Sequence, residues 1–197
     1  MNSMISKTDD ELVGLYSEGN GEAFDVLLSR YKDKLYAYIS FIVRIKDIAD
    51  DIFQDTFVKA IQTIQRGGYT SAGKFGAWLT RIAHNLIMDY FRKDNVTAPI
   101  CDDENGTDLL NNPDLCEPNV EDRMVNHQIL SDVRHLVSML PDNQREVVFM
   151  RYYQDLSFKE ISDITGVSIN TALGRMRYAL INIRKMAADN DINLNLI

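Results

Sequence analysis

Between Asp94 and Asp122 the chain carries nine acidic residues and neither Lys nor Arg, together with three of its four prolines, Pro99, Pro113 and Pro118. A stretch of this kind repels itself and has little apolar surface to bury, so its composition predicts a flexible linker rather than part of a core. It divides the 197 residues into two candidate domains, 1–94 and 123–197, joined by an acidic segment at 95–122. The position of these acids also changes the meaning of the overall charge. The net charge is −8 and the pI about 4.8. Setting those nine aside from the total of 29 acids leaves 20 acidic against 21 basic side chains elsewhere. The acidic balance therefore does not exclude a nucleic-acid partner.

Both flanking segments carry the helical period and no alternating strand pattern, so the fold class is all-α, in two helical domains. Thr8 and Glu11 form a capping box that opens a short first helix. A second helix places Phe24, Leu27, Leu28, Tyr31, Leu35 and Ile39 on one face. A third runs from about Asp47 to Ile64 with Ile48, Ile52, Ala60 and Ile64 inward. The fourth, Phe75 to Lys93, has Phe75, Leu79, Ile82, Leu86 and Tyr90 at spacings of three and four, after the glycine-rich loop from Arg66 to Gly73. Beyond the linker, Met124, Ile129, Val133, Leu136 and Leu140 mark one helix and Gln144 to Tyr152 another after Pro141. With the two helices that follow, the second domain has four.

Those last two helices form a helix-turn-helix. Ser157 with Glu160 makes a capping box for the first, whose Ile161 and Ile164 face inward. Gly166 supplies the turn, Val167 fills the corner and Ser168 caps the second. The second helix turns Ala172, Met176, Ala179, Leu180 and Ile183 to the core, leaving Asn170, Thr171, Gly174, Arg175 and Arg177 on or beside the opposite face. From Asn170 to Ala188 it has four basic residues and no acid. Arginine grips guanine edges bidentately, Asn and Thr reach bases or phosphates, and a glycine permits close approach. Ser168, Asn170, Thr171, Gly174, Arg175 and Arg177 are therefore the candidate duplex-DNA contacts. A solvated basic hairpin is the bland alternative, disfavoured because the cap, the turn glycine and the acid-free helix agree.

Two features of the first domain point to further partners. Asp47, Asp51, Gln54 and Asp55 share one stripe of the third helix, with Asp50 nearby. Like charges so placed need water, a cation or a basic surface. The fourth helix interleaves Phe75, Trp78, Tyr90 and Phe91 with Arg81, Asn85, Arg92 and Lys93. Aromatic faces stack bases while cations hold phosphates, a combination suited to single-stranded DNA. Phe75, Tyr90 and Phe91, at helical spacing, read first as core.

The order of these parts resembles the sigma factors of bacterial RNA polymerase, specifically the short two-domain extracytoplasmic-function group. The motifs are DxxQDTF at Asp51 to Phe57, FxxWLxRIAxNLxxDYxRK at Phe75 to Lys93, and LPxxxREVxxxRY followed by LSFKEISxITGVSxxTxxxRxxxA at Leu140 to Ala179. The resemblance implies a factor that binds core RNA polymerase and directs promoter recognition, DNA melting and transcription initiation. Asp47, Asp51, Gln54 and Asp55 would dock on the clamp helices of the largest polymerase subunit. Arg66, Tyr69, Lys74, Trp78, Arg81, Asn85, Arg92 and Lys93 would melt and hold the minus-ten element, and the helix-turn-helix would read the minus-thirty-five element. It also implies a protein that is monomeric when free and that an anti-sigma factor could hold. The acidic linker would lie in the basic path later taken by nascent RNA. His84 departs from the family pattern, where Arg is frequent, and the tail DINLNLI after Asp189 matches no family motif.

Other classes fit less well. A one-component helix-turn-helix regulator would leave the aromatic and basic helix without a task. A magnesium-dependent isoprenoid-type enzyme, suggested by DDIFQD, lacks a second inward acidic cluster outside the linker. No cofactor and no metal are expected. Cys101 and Cys116 lie in no CxxC pair, and with His127 and His135 they make a poor zinc set. No apolar run approaches the roughly 20 residues of a bilayer span, and the first residues lack the pattern of a secretion signal, so a cytoplasmic location is expected.

Overall fold

Side-chain caps at Thr8, Ser157 and Ser168 mark the starts of three of the helices. In the computed structural model, which describes residues 2–70, 73–93, 132–190 and 192, a short α1 (Asn2–Ile5) precedes α2 (Asp9–Ser17). The Thr8 side chain accepts from the Glu11 N–H, and the Thr8 N–H donates to Glu11 Oε2 at 2.7 Å. That backbone bond holds the Glu11 carboxyl below its ordinary range. The long α3 (Gly21–Val43) follows, then α4 (Lys46–Gln65) and α5 (Phe75–Lys93). Beyond the acidic segment come α6 at 132–138, α7 (Asp142–Tyr152), α8 (Phe158–Thr165) and α9 (Ile169–Asp189). The chain divides into two compact units, the first dominated by α1–α5 and the second by α6–α9. The acidic segment, with Cys101 and Cys116, and Met124, His127 and Ile129, lies outside the described residues, as does most of the tail.

In the first unit α3 is the hub, packed against α2, α4 and α5. Leu27, Tyr38 and Ile39 of α3, Ile64 of α4 and Phe75, Leu79 and Ile87 of α5 are among its fully buried side chains. Burying each large apolar side chain stabilises by about 1.5–3 kcal/mol, so this cluster fixes the helix arrangement. The expected inward faces are present with two adjustments. Leu28, Tyr31 and Ile48 are half-buried. On α5 the buried arc is centred on Phe75, Leu79, Thr80, Ala83, His84 and Ile87, while Ile82, Leu86 and Tyr90 sit half-covered at its border. His84, the departure from the family pattern, is buried with Nδ1 3.2 Å from the hydroxyl of the fully buried Tyr38. A buried polar ring at this position is accommodated by that hydrogen bond.

In the second unit α7 packs on α9, and Asn182 Nδ2 donates to Gln144 Oε1 across the contact at 2.8 Å. Leu136, Leu140, Val147, Met150, Ile161, Ala172 and Ala179 form its core. The capping box of α8 is present, with Ser157 N–H donating to Glu160 Oε2 at 2.9 Å and Glu160 N–H donating back to Ser157 Oγ at 3.3 Å. Gly166 turns the chain with φ of +70°, the left-handed region that a side chain disfavours.

Candidate nucleic-acid interface

Three exposed faces carry the candidate residues. On α4, Asp47, Asp51, Gln54 and Asp55 are all exposed and lie within an arc of about 100° at 100° per residue. Asp50, at the edge of this stripe, accepts from the Tyr36 hydroxyl at 2.7 Å and belongs to the fold rather than the surface. That bond, followed by burial, raises the Tyr36 phenol above its ordinary value. Val58 lies in the same arc and is 50% exposed. An apolar side chain amid carboxylates gives the face a dry spot, which charge counting overlooked.

On α5, Trp78, Arg81, Asn85, Met88 and Arg92 fall within an arc of about 80°, opposite the buried one. Arg81, Asn85, Met88 and Arg92 are exposed and Trp78 is half-buried. Arg92 is paired with Asp89 at 2.7 Å, both ends open to solvent; such a pair opens at little cost to admit a phosphate. Lys93 is exposed and sits to one side of the stripe, and Arg66, the C-cap of α4, is exposed as well. Trp78 is not isolated. The Tyr69 ring meets it edge-on with centroids 5.0 Å apart, and Phe75 lies 5.5 Å behind. Lys74, the residue before α5, accepts the Trp78 N–H at its carbonyl and exposes its side chain. Phe75 is core, as its spacing indicates, and Tyr90 and Phe91 are half-buried with centroids 5.5 Å apart.

Tyr69 is held from a distant part of the chain. Its hydroxyl donates to Asp10 Oδ1 at 3.1 Å, and the Gly73 N–H donates to Asp10 Oδ2 at 2.6 Å. Burial, reinforced by the Asp10 hydrogen bond, raises the Tyr69 phenol well above its ordinary value. Beside it, Asp9 accepts from the Tyr31 hydroxyl and from Arg30 Nη1 at 2.6 Å. The Tyr31 ring lies against Phe75 at 5.3 Å and so close to Gly76 that a Cβ there would meet Tyr31 Cε1 at 2.8 Å. Nothing in the local spacing of Asp9 and Asp10 signals these contacts.

On α9, Ser168 Oγ accepts from the Thr171 N–H at 3.0 Å and is 2.8 Å from the Thr171 hydroxyl. Both side chains are therefore engaged in capping. Asn170, Gly174 and Arg177 share an outward arc of about 60°, while Arg175 is half-buried on the flank nearer the core. Structure thus separates the two arginines that the sequence groups together. Tyr178, 61% exposed, lies with Thr171 on the same flank as Arg175, nearer the outward arc. Leu173 and Ile181 are also exposed and line a cleft of about 450 Å³ with Phe158, Met176 and Arg177.

Among the described residues no group of three or more His, Cys, Asp or Glu is placed to hold a metal ion, and no helix is long and apolar enough to cross a membrane.

The family described as Sigma-70 region 2 matches residues 27–97, and that described as Sigma-70, region 4 matches residues 130–177. Together they span more than half of the chain, one over α3–α5 and the other over the helix-turn-helix. The chain belongs to the extracytoplasmic-function group of RNA polymerase sigma factors. The ECF RNA polymerase sigma factor SigW of Bacillus subtilis is 28% identical over 192 residues, covering 96% of this sigma factor and 100% of SigW. The ECF RNA polymerase sigma factor BldN of Streptomyces coelicolor is 33% identical over 159 residues, covering 79% of this chain but 57% of BldN. Among solved structures, the sigma factor RpoE in complex with the anti-sigma factor NepR from Bartonella quintana shares the fold, with a TM-score of 0.60 at 20% identity over 84% of this chain and 96% of that one. Membership places this sigma factor in promoter recognition by RNA polymerase and sets aside both the enzyme and the one-component regulator readings. The region 2 match begins within α3, so α2 with Asp9 and Asp10 lies outside it.

Proposed function

We propose that the three faces divide promoter opening between them. The α4 face of Asp47, Asp51, Gln54 and Asp55, with Val58 at its centre, docks on a basic surface of core RNA polymerase. The α5 stripe of Trp78, Arg81, Asn85 and Arg92, flanked by Arg66, Tyr69, Lys74 and Lys93, captures the melted strand of the minus-ten element. The outward face of α9, at Asn170, Gly174 and Arg177 with Ser168, Thr171 and Arg175 alongside, meets the duplex at the minus-thirty-five element. Domains 1–94 and 123–197 then act as separate contacts, tethered through the acidic segment.

The observation that carries this reading is the α5 stripe. A half-exposed Trp78 leaning on Tyr69, in line with exposed Arg81, Asn85 and Arg92, supplies stacking and phosphate-holding groups on one surface. A merely solvated helix face has no use for the tryptophan. The test is reconstitution with purified core polymerase, followed by permanganate reactivity of promoter thymines. Trp78→Ala is expected to bind polymerase normally and leave the thymines unreactive; normal reactivity would remove α5 from the strand-capturing role.

The sigma factor works in the cytoplasm, where polymerase and promoter are, and is monomeric when free. An anti-sigma factor is its proposed restraint, by analogy with the similar fold solved with NepR. Co-purification of a regulatory protein with the free chain, displaced by core polymerase, is the expected result.

A further inference from the structure

Asp10 is an exposed residue in the first turn of α2, outside the matched family regions, yet both of its carboxylate oxygens serve the α5 surface. One accepts from the Tyr69 hydroxyl at 3.1 Å and the other from the Gly73 N–H at 2.6 Å. These contacts span 59 and 63 residues of chain. They close over the point where the chain turns into α5, and they set the ring of Tyr69 edge-on to Trp78. The rest of α2 is braced to make this possible. Thr8 and Glu11 cap the helix reciprocally, and Asp9 is held by Arg30 and Tyr31 of α3, with Arg30 also donating to the carbonyls of Ile5 and Lys7 at 2.6 and 2.7 Å. A helix anchored so firmly to α3 offers Asp10 as a fixed point rather than a mobile counter-charge.

We propose that Asp10 is a positioning residue for promoter-strand capture: by bridging Tyr69 and Gly73 it sets the geometry of the Tyr69–Trp78 pair, so base preference in the melted element depends on α2. The proposal rests on the reading of α5 as the strand-capturing surface. Stacking on aromatic faces gives modest base preferences that follow how the rings are set, and a phenol hydrogen-bonded to a fixed partner keeps its ring in place. Loss of the carboxylate frees the Tyr69 ring to rotate away from Trp78 and loosens the backbone at Gly73. Asn in its place keeps an acceptor for Gly73 N–H and a donor for the phenol oxygen, and so preserves the shape.

The chain has a single tryptophan, Trp78, which makes the geometry directly readable. In the free full-length protein, Asp10→Ala is expected to raise acrylamide quenching of Trp78 fluorescence while the far-ultraviolet dichroism stays unchanged; Asp10→Asn is expected to match the parent. In holoenzyme, transcription from a promoter library randomised across the melted element is expected to show base discrimination reduced by about ten-fold for Asp10→Ala and restored by Asp10→Asn. Uniformly weaker transcription with unchanged base preference would assign Asp10 a structural role only and overturn the proposal. Unchanged quenching would overturn it as well. Should Asp10→Ala not fold, Tyr69→Phe severs the same bridge and carries the same two expectations. Trp78→Ala in parallel separates the two levels: if it opens promoters normally, the α5 reading has failed; if it does not, and Asp10→Ala retains full discrimination, the Asp10 proposal alone has failed.

Discussion

The Tyr36 hydroxyl donates to Asp50 Oδ1 at 2.7 Å, which commits one carboxylate of the acidic helix to its own fold while its neighbours Asp51 and Asp55 stay exposed. The two kinds of acid are separable by substitution. Asp50→Ala removes a hydrogen bond to a charged acceptor and is expected to cost about 1.5–3 kcal/mol of stability, less any part recovered by water at this half-buried site. Asp51→Ala with Asp55→Ala is expected to leave the thermal midpoint unchanged or raise it slightly, since like charges are removed, while weakening binding to core polymerase. Urea denaturation and a polymerase pull-down distinguish the two; equal loss of polymerase binding in both variants at full stability would refute the division.

Gly174 sits in mid-helix with nothing within 4 Å of a Cβ built there. Replacing a helical glycine by alanine stabilises by about 0.5–1 kcal/mol where space permits. Gly174→Ala is therefore expected to raise the unfolding midpoint. If the glycine is there for close approach to the DNA backbone, the same variant weakens recognition of the minus-thirty-five element. A rise in stability with unchanged promoter affinity would show that Gly174 makes no close contact.

Gly76 presents the opposite case. An alanine Cβ would press on Tyr31, whose hydroxyl is tied to Asp9 and whose ring packs on the buried Phe75. Overpacking of this kind costs about 1–3 kcal/mol. Gly76→Ala is expected to lower the denaturation midpoint of the first unit, and Tyr31→Ala in the same chain to relieve part of the clash. Additive losses in the double variant would show that the two sites do not touch.

The phenols of Tyr31 and Tyr69 are both pushed above their ordinary value near 10, first by burial and then by Asp9 and Asp10. The folded state therefore favours the neutral phenol. Its contribution to stability is complete below pH 10 and is lost as the pH rises beyond it. Of the nine tyrosines, at least these two are expected to ionise late in an alkaline absorbance titration. Asp10→Ala is expected to lower the Tyr69 phenol only part of the way toward the ordinary range, because burial, the larger cause, remains, and a titration curve identical to the parent would contradict the assignment.

Local chemistry made much of this architecture readable in advance. The boxes at Thr8/Glu11 and Ser157/Glu160 and the left-handed Gly166 act over three or four residues, so their residue types announce them. The α5 boundaries at Phe75 and Lys93 follow from its period, but its buried centre does not. Ala83 and His84 are weak apolar signals that tertiary packing turned inward, leaving Ile82 and Leu86 at the margin. The two arginines of α9 look equivalent to a charge count in a stretch without acids, but two residues apart they lie about 200° apart around the helix, and the period separates them. Asp10 with Tyr69, and Asp50 with Tyr36, lie beyond any periodic pattern because long-range pairing depends on the assembled bundle.

The hydroxyls of Ser168 and Thr171 are engaged with each other and with the first turn of α9, while Asn170, Gly174 and Arg177 face outward without holding up that turn. Positions that hold the first turn and the outward positions proposed to address DNA are thus interleaved over roughly two and a half turns, and the outward three carry no capping duty. A descendant of this protein has room to acquire a different set of target genes through the second group alone, with its folding left intact.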